Sequence, residues 1–293
     1  STRAFPTIFQ IKYPITGTPL VSIVIPNKDH VEDLRRCIQS IVNKSTWTNY
    51  EIVVVENNSK EQSIFDYYKE LEALPQVQVV TYEGEFNYSR INNFGVSKTK
   101  GEYLLLLNND TEVITPDWME QLLMYAQRKD VGAAGAKLYY GDDTIQHAGV
   151  VIGLGAHRSA GHTHYKMPRQ HLGYMGRLCY AQDVTAVTGA CLMVSRAAYD
   201  QVGGLDESFT ISLNDVDFCL KLREAGYLNI FTPFAELYHY ESKTRGMEEG
   251  EKLRRYEREC AHFREKWKAQ LDAGDPYYNP NFSLDYSDFT LRF

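Results

Sequence analysis

The chain has 293 residues, about two average domains in length, although large α/β folds reach this size as one unit. Thirty-eight acidic residues against 31 basic ones give a net charge of −7, which argues against nucleic-acid binding over a wide surface. Hydrophobic residues at 43% and charged residues at 24% exclude a disordered chain and leave 21 tyrosines as the compositional oddity.

Residues 21–26 (VSIVIP) form a short β-branched run closed by proline, the pattern of a buried strand. Val31, Leu34, Ile38, Ile41 and Val42 then recur at helical spacing. Residues 51–55 (EIVVV) predict a second strand, followed by the turn Glu56-Asn57-Asn58-Ser59. A helix through Ile64, Tyr67, Tyr68 and Leu71 leads to a third strand at 77–81. Ser89 is placed to cap a helix through Ile91, Phe94 and Val96. Residues 103–107 predict a fourth strand that runs into Asn108-Asn109-Asp110, and Pro116 precedes a helix over 118–128. This alternation implies a parallel sheet with helices on both faces, whose ligands bind beyond the carboxyl ends of the strands.

Residues 153–183 are rich in Gly, His and Tyr without periodicity and read as an ordered excursion or a mobile loop. Order resumes at 186–194, followed by a helix from about Arg196 to Gly203-Gly204. Asn214 is placed to cap a helix over 215–224, and 229–232 and 235–239 predict two late strands. A charged helix over 248–271 and an aromatic tail from Asp275 complete the chain.

Five cysteines (Cys37, Cys179, Cys191, Cys219, Cys260) with no C-x-x-C suit reduced thiols. The longest apolar run, 103–107, is too short to cross a bilayer, and no leader-like segment opens the sequence, so the cytoplasm is the expected compartment. Ser1 in place of an initiator Met fits a segment of a longer chain.

Three segments carry chemistry. Asn108-Asn109-Asp110 is either a turn or a hard-cation ligand set, since one carboxylate with amide oxygens suits Mg²⁺ or Mn²⁺ that also binds a phosphate. An acidic protein binding a diphosphate needs such an ion. Asp215 and Asp217 at a helix start either complement the helix dipole or form a built site in which Asp215 is a general base. His239 closes a strand ahead of Ser242, Lys243, Thr244 and Arg245, a group able to grip an oxyanion. Gly153-Leu154-Gly155 lacks the third glycine of a dinucleotide fingerprint. His157, His162, His164 and His171 invite a zinc site, but without a cysteine pair they read as surface loop residues.

Taken in order, 21–27, 51–59, Asn92-Asn93-Phe94-Gly95 through 101–110, 214–227 and His239 resemble the inverting glycosyltransferases of family 2. The likeness points to bacterial enzymes of rhamnose-containing or O-antigen-type polysaccharides. The resemblance implies the α/β GT-A fold, with a mostly parallel central sheet between helices. It divides the chain into a lead-in (1–20), a GT-A domain (21–246; nucleotide-binding half 21–115, acceptor half 116–246) and a C-terminal helix and tail (247–293).

The resemblance further implies that Pro26, Asn27, Lys28 and Glu56 contact the donor nucleotide, with Arg90, Asn93, Asn108 and Asn109 nearby. Asp110 would hold a divalent cation (Mg²⁺ or Mn²⁺) with His239 as second ligand, and Asp215 would deprotonate the acceptor. Gly189, Ala190 and Cys191 would line the sugar site with Asn214, and Ser242 and Arg245 would hold the diphosphate. The first position of the family's D-x-D is Asn108 here, and the E of its E-D-x-D is Asn214.

The implied partners are a UDP- or dTDP-linked sugar, dTDP-rhamnose among the candidates, and a glycan or lipid-linked glycan acceptor, with no nucleic acid. Peripheral contact with the inner face of the membrane, or with neighbouring domains of a longer chain, is compatible with the charged C-terminal helix. Two rivals stand beside this reading. A sugar-phosphate nucleotidyltransferase would carry a Gly-rich basic loop where this chain has Pro26-Asn27-Lys28-Asp29. A non-catalytic carbohydrate-binding domain would explain the tyrosines but not three acidic or basic groups at separate element ends.

Overall fold

The computed structural model describes residues 2–5, 7–240 and 250–292. β1 (Thr2–Phe5) and β2 (Ile8–Gln10) form an antiparallel hairpin ahead of the main sheet. Strict alternation follows: β3 (Val21–Asn27), α1 (Val31–Lys44), β4 (Tyr50–Glu56), α2 (Gln62–Leu71), β5 (Val77–Thr81), α3 (Tyr88–Ser97) and β6 (Tyr103–Leu107). Next come β7 (Thr111–Val113), α4 (Trp118–Ala126), β8 (Val131–Tyr139), β9 (Ile145–His147), β10 (Val150–Ile152), β11 (Ala160–His162), β12 (Gln182–Val184) and β13 (Cys191–Ser195). α5 (Arg196–Gln201), α6 (Asn214–Glu224), β14 (Leu228–His239), α7 (Glu251–Lys266) and α8 (Lys268–Ala273) complete the chain.

The main sheet runs β12-β14-β8-β13-β6-β3-β4-β5, with β7 added to β14 and β9 to β8. β5, β4, β3 and β6 are parallel throughout, β14 is parallel to β8, and β13 lies antiparallel between β6 and β8. The alternating residues of β3 explain the two layers. Ile23 and Ile25 pack with Leu34, Ile38 and Trp118 on one face, while Val24 packs with Ile91, Phe218 and Leu222 on the other. Both faces are covered, so the centres of these strands are runs of Val, Ile and Leu, as in buried parallel strands. From β3 the chain turns to β4 on one side and returns to β6 on the other. That reversal opens a crevice at the carboxyl ends of β3 and β6.

Several local expectations are corrected. Asn87, not Ser89, caps α3, accepting from the Arg90 amide at 3.0 Å, while the Ser89 hydroxyl donates to Phe209 O. Asn214 is the first residue of α6 rather than its cap; Leu213, at φ 64°, takes that position. The two late strands are one strand, β14, with a register shift between Thr232 and Glu236. The long charged helix is broken at Trp267, where α7 gives way to α8, and its expected start at Glu248 lies outside the described residues. The 153–183 excursion holds β11, β12 and a 3₁₀ turn at Tyr174–Gly176. All five cysteines are free thiols, and among the described residues no helix is long and apolar enough to cross a membrane.

Candidate active site

The loops after β3 and β4 are stitched together at the sheet edge. Asn27 is buried, and its Nδ2 donates to the Tyr68 hydroxyl at 2.7 Å. Tyr68 in turn donates to Glu56 Oε2 at 2.5 Å. Glu56 also accepts from the Ser59 amide at 2.7 Å and from the Ser59 hydroxyl at 2.5 Å, so its buried carboxylate is fully used inside the turn. Burial and the adjacent Glu56 carboxylate push the Tyr68 phenol well above its usual range. Asp29 accepts from the Lys60 and Glu61 amides, which closes the seam between the two loops. Pro26 is half-buried beside this seam and Lys28 is exposed. Asn109 reaches across from the end of β6, donating to Asn27 Oδ1 at 2.6 Å.

Asp110 and His239 meet because β7 and β14 form an antiparallel ladder. Thr111 pairs with His239 in its register, and the Tyr240 amide donates to Asp110 O at 2.9 Å. Asp110 Oδ1 then lies 3.1 Å from His239 Nε2. His239 Nδ1 faces Gln146 Oε1 at 2.6 Å, an acceptor that favours a proton on Nδ1, so the neutral ring would present the Nε2 lone pair. Asn108 Nδ2 lies 3.1 Å from that Nε2. A carboxylate oxygen and an imidazole lone pair at this separation match two neighbouring ligands of an octahedral ion with bonds of about 2.1 Å. The residues therefore fit a shared divalent cation. Among the described residues no group of three or more His, Cys, Asp or Glu side chains could hold a metal by itself.

Asp215 stands in the first turn of α6. Its Oδ1 accepts from the Val216 amide at 2.8 Å, and its Oδ2 from the Gly189 amide at 2.9 Å. A Cβ at Gly189 would meet the Tyr88 hydroxyl at 3.2 Å and the Asp215 Cβ at 3.4 Å, so the close approach of this loop suits glycine. Asn214 locks the start of the helix, donating to Ile211 O at 3.0 Å and accepting from the Asp215 amide at 2.7 Å. A cavity of about 280 Å³ opens here, lined by Asp215, Asn214, Gly189, Ala190, Asn108 and His239 among others. The Tyr88 hydroxyl joins two of these segments, 3.0 Å from Gly189 O and 3.2 Å from Asn108 Oδ1.

Asp217, only two residues beyond Asp215, faces the opposite way. It is fully buried, accepts from Trp267 Nε1 at 2.8 Å and pairs with Lys266 at 2.6 Å. It secures α6 to the C-terminal helices and takes no part in the cavity. Arg90 and Asn93 are likewise engaged elsewhere. Arg90 pairs with Glu207 at 3.1 Å, and Asn93 bonds Leu205, Glu207 and Tyr199, so both brace the 203–207 turn. Cys191 is buried on β13 behind Ala190. Ser242 and Arg245 lie outside the described residues.

Tyr88 and Gln146 carried no sequence signal: each occupies an ordinary helix or strand position, and only the fold turns it toward the cavity. Of the four loop histidines, His171 is exposed as expected, whereas His162 and His164 are drawn inward. His162 contacts the fully buried His147, Nδ1 to Nδ1 at 2.8 Å, and His164 is buried against Phe289. Burial, with His162 and His239 close by, holds His147 well below the usual imidazole range, and burial pushes His164 down to about 3.

Comparison with known proteins agrees with this geometry. Residues 22–203 match the family model "Glycosyl transferase family 2". The uncharacterised protein y4gI of Sinorhizobium fredii is 46% identical over 98% of this chain and 32% of its own length. The O-antigen biosynthesis protein RfbC of Myxococcus xanthus is 35% identical over 99% of this chain and 22% of its own length. The chain thus spans about a third and about a fifth of these relatives. The crystal structure of GalNAc-T7 with UDP, GalNAc and Mn²⁺ superposes with a TM-score of 0.68 over 87% of this chain and 49% of that one, at 16% identity. The shared fold is the expected GT-A arrangement. The family match begins in β3 and ends beyond α5, taking in the whole parallel half of the sheet together with Asn108, Asn109 and Asp110, and the chain belongs to glycosyl transferase family 2.

Proposed function

We propose that the chain transfers a sugar, with inversion, from a nucleoside diphosphate donor to a hydroxyl of a glycan or lipid-linked glycan in cell-surface polysaccharide synthesis. One observation carries this reading: a single cavity is lined by Asp215, Asn108 and His239, the last paired with Asp110. The likeness to RfbC supports the polysaccharide role, and the likeness to a GalNAc-T7 complex holding UDP and Mn²⁺ supports a nucleotide donor and a divalent cation.

Pro26, Asn27, Lys28 and Asn109 form the edge along which the nucleoside lies, with Glu56 setting the shape of the neighbouring turn from below. Asp110 and His239 hold a Mg²⁺ or Mn²⁺ ion, whose chemistry is to neutralise charge growing on the leaving diphosphate. Gln146 keeps the His239 proton on Nδ1, so that Nε2 remains a ligand. Ser242 and Arg245 belong to the same proposal as diphosphate contacts.

Asp215 accepts the proton of the acceptor hydroxyl while that oxygen attacks the anomeric carbon opposite the leaving group. The new C–O bond forms as the bond to the diphosphate breaks, so the configuration inverts. The Gly189 and Val216 amides keep both Asp215 oxygens aimed during this step. The donor chemistry places the reaction in the cytoplasm, at the membrane face when the acceptor is lipid-linked.

Turnover of a panel of UDP-, dTDP- and GDP-sugars, with and without EDTA, tests the reading. One nucleotide class should be consumed, EDTA should abolish turnover, and Mn²⁺ or Mg²⁺ should restore it. NMR of the product should show the anomer opposite to that of the donor. Consumption of no donor with any glycan acceptor would overturn the proposal in favour of a carbohydrate-binding domain.

A further inference from the structure

α7 lies beside the loop that feeds α6. Its Glu259 is 6% exposed and turns its carboxylate onto three successive backbone amides. Thr210 N donates to Oε1 at 2.8 Å, Ile211 N to the same oxygen at 3.2 Å, and Ser212 N to Oε2 at 2.9 Å. Successive amides converging in this way form a cup for an anion. Here the anion is a side chain from a distant helix.

The loop held in this way is a hub for the candidate site. Thr210 O accepts from the Tyr88 amide at 2.8 Å, which fixes the start of α3 and so the hydroxyl that spans Gly189 and Asn108. Ile211 O accepts from Asn214 Nδ2, and Asn214 Oδ1 takes the Asp215 amide. Ile211 and Ser212 themselves line the cavity. Leu213 follows at φ 64°, a left-handed conformation that a leucine holds only when its neighbours enforce it. Two short chains of hydrogen bonds thus lead from Glu259, one to the Asp215 backbone and one to Tyr88. α7 has other anchors as well, with Phe263 against Phe209 and Lys266 paired with Asp206 and Asp217. Docking of the helix therefore does not depend on Glu259.

We propose that Glu259 is a positioning residue for the transfer reaction: by filling the amide cup of residues 210–212 it fixes the acceptor wall of the cavity and the direction in which Asp215 presents its carboxylate. The proposal rests on the reading of Asp215 as the base. Glu259 touches neither substrate, so its effect is on geometry, where a displacement of about 1 Å can cost about a hundredfold in rate.

The test compares Glu259→Gln, Glu259→Ala and the native chain. In Glu259→Gln an amide NH₂ replaces one acceptor oxygen, so the cup cannot be filled as before. We expect kcat to fall about tenfold to a hundredfold, the acceptor KM to rise, and the calorimetric affinity for UDP or dTDP to stay unchanged. Formate should restore part of the kcat of Glu259→Ala and none of that of Asp215→Asn. Hydrogen exchange at the amides of 210–212, slow in the native chain, should quicken in both Glu259 variants.

Native kcat and acceptor KM in Glu259→Gln would overturn the proposal. So would unchanged exchange at 210–212, or a loss of nucleotide affinity in step with kcat, which would mean general unfolding. If the native protein consumes no donor at all, the transfer reading itself falls, and the exchange measurement still decides whether Glu259 shapes the cup.

Discussion

The edge formed by β3, β4 and β6 and the wall formed around α6 are held by opposite means. At the edge, Glu56 is satisfied by Ser59 and Tyr68, Asn27 by Tyr68 and Asn109, and Asp29 by Lys60 and Glu61. Every partner comes from the same parallel half of the chain. At the wall, by contrast, Thr210–Ser212 are held by Glu259, and Asp217 by Lys266 and Trp267, from helices beyond the last strand. The first region is held from within its own segment, whereas the second depends on the C-terminal helices. The matched family segment ends at residue 203, short of α6 and those helices, although it already includes Gly189 and Ala190.

Four substitutions break or sharpen this contrast. The largest effect is expected for Asp215→Asn, which removes the proposed base and one of the two acceptor oxygens that meet the Gly189 and Val216 amides. Transfer should fall about 10²- to 10⁴-fold, while calorimetry shows nucleotide affinity unchanged; normal turnover would remove Asp215 from its assigned role. Gln146→Leu comes next, since it releases the His239 tautomer without touching the edge. Mn²⁺ affinity, read by activity against free metal, should weaken about ten- to hundredfold.

Lys266→Met strips a buried carboxylate, Asp217, of its ion pair and should lower stability by about 2 kcal/mol, visible as a lower Tm. Lys266 also bears on Asp206. Burial works against the Asp206 charge, but hydrogen bonds from Lys266 and Ser208 hold its carboxyl well below the usual range. A carboxyl depressed on folding adds stability above about pH 4 that is lost as pH falls through the folded value. The acid limb of native stability should therefore flatten in Lys266→Met. Tyr68→Phe, confined to the edge, should have the smallest effect. It removes the hydrogen bond to the Glu56 carboxylate and the one accepted from Asn27, and should cost about 1.5 kcal/mol in chemical denaturation, with the wall's exchange behaviour unaltered.

The parallel half was legible because its strands are buried on both faces and so carry uninterrupted apolar runs. The run at 103–107 coincides with β6, that at 21–26 is one residue short of β3 at its end, and that at 51–55 is one residue short of β4 at each end. Polar tips at Asn27, Asn108 and Asp110 then mark the crevice, because ligands gather where such strands end. β11 and β12 were illegible since three-residue strands are too short for an alternating pattern. The break at Trp267 was hidden too. Charges continue through it, and only the buried bond to Asp217 shows why the helix yields there. Glu259 had no sequence signal at all, because a glutamate in a charged helix looks like solvated surface until the facing loop is known.

The β7–β14 ladder has a consequence for variation. Asp110 and His239 come from segments far apart in the sequence, yet their 3.1 Å approach follows from one register in which Thr111 faces His239. Insertions and deletions between those strands would leave the spacing intact as long as the ladder re-forms. The intervening loops can therefore diverge while the Asp110–His239 approach is kept. A one-residue slip within β14, by contrast, would turn His239 to the other face of the sheet and disable the pair at once.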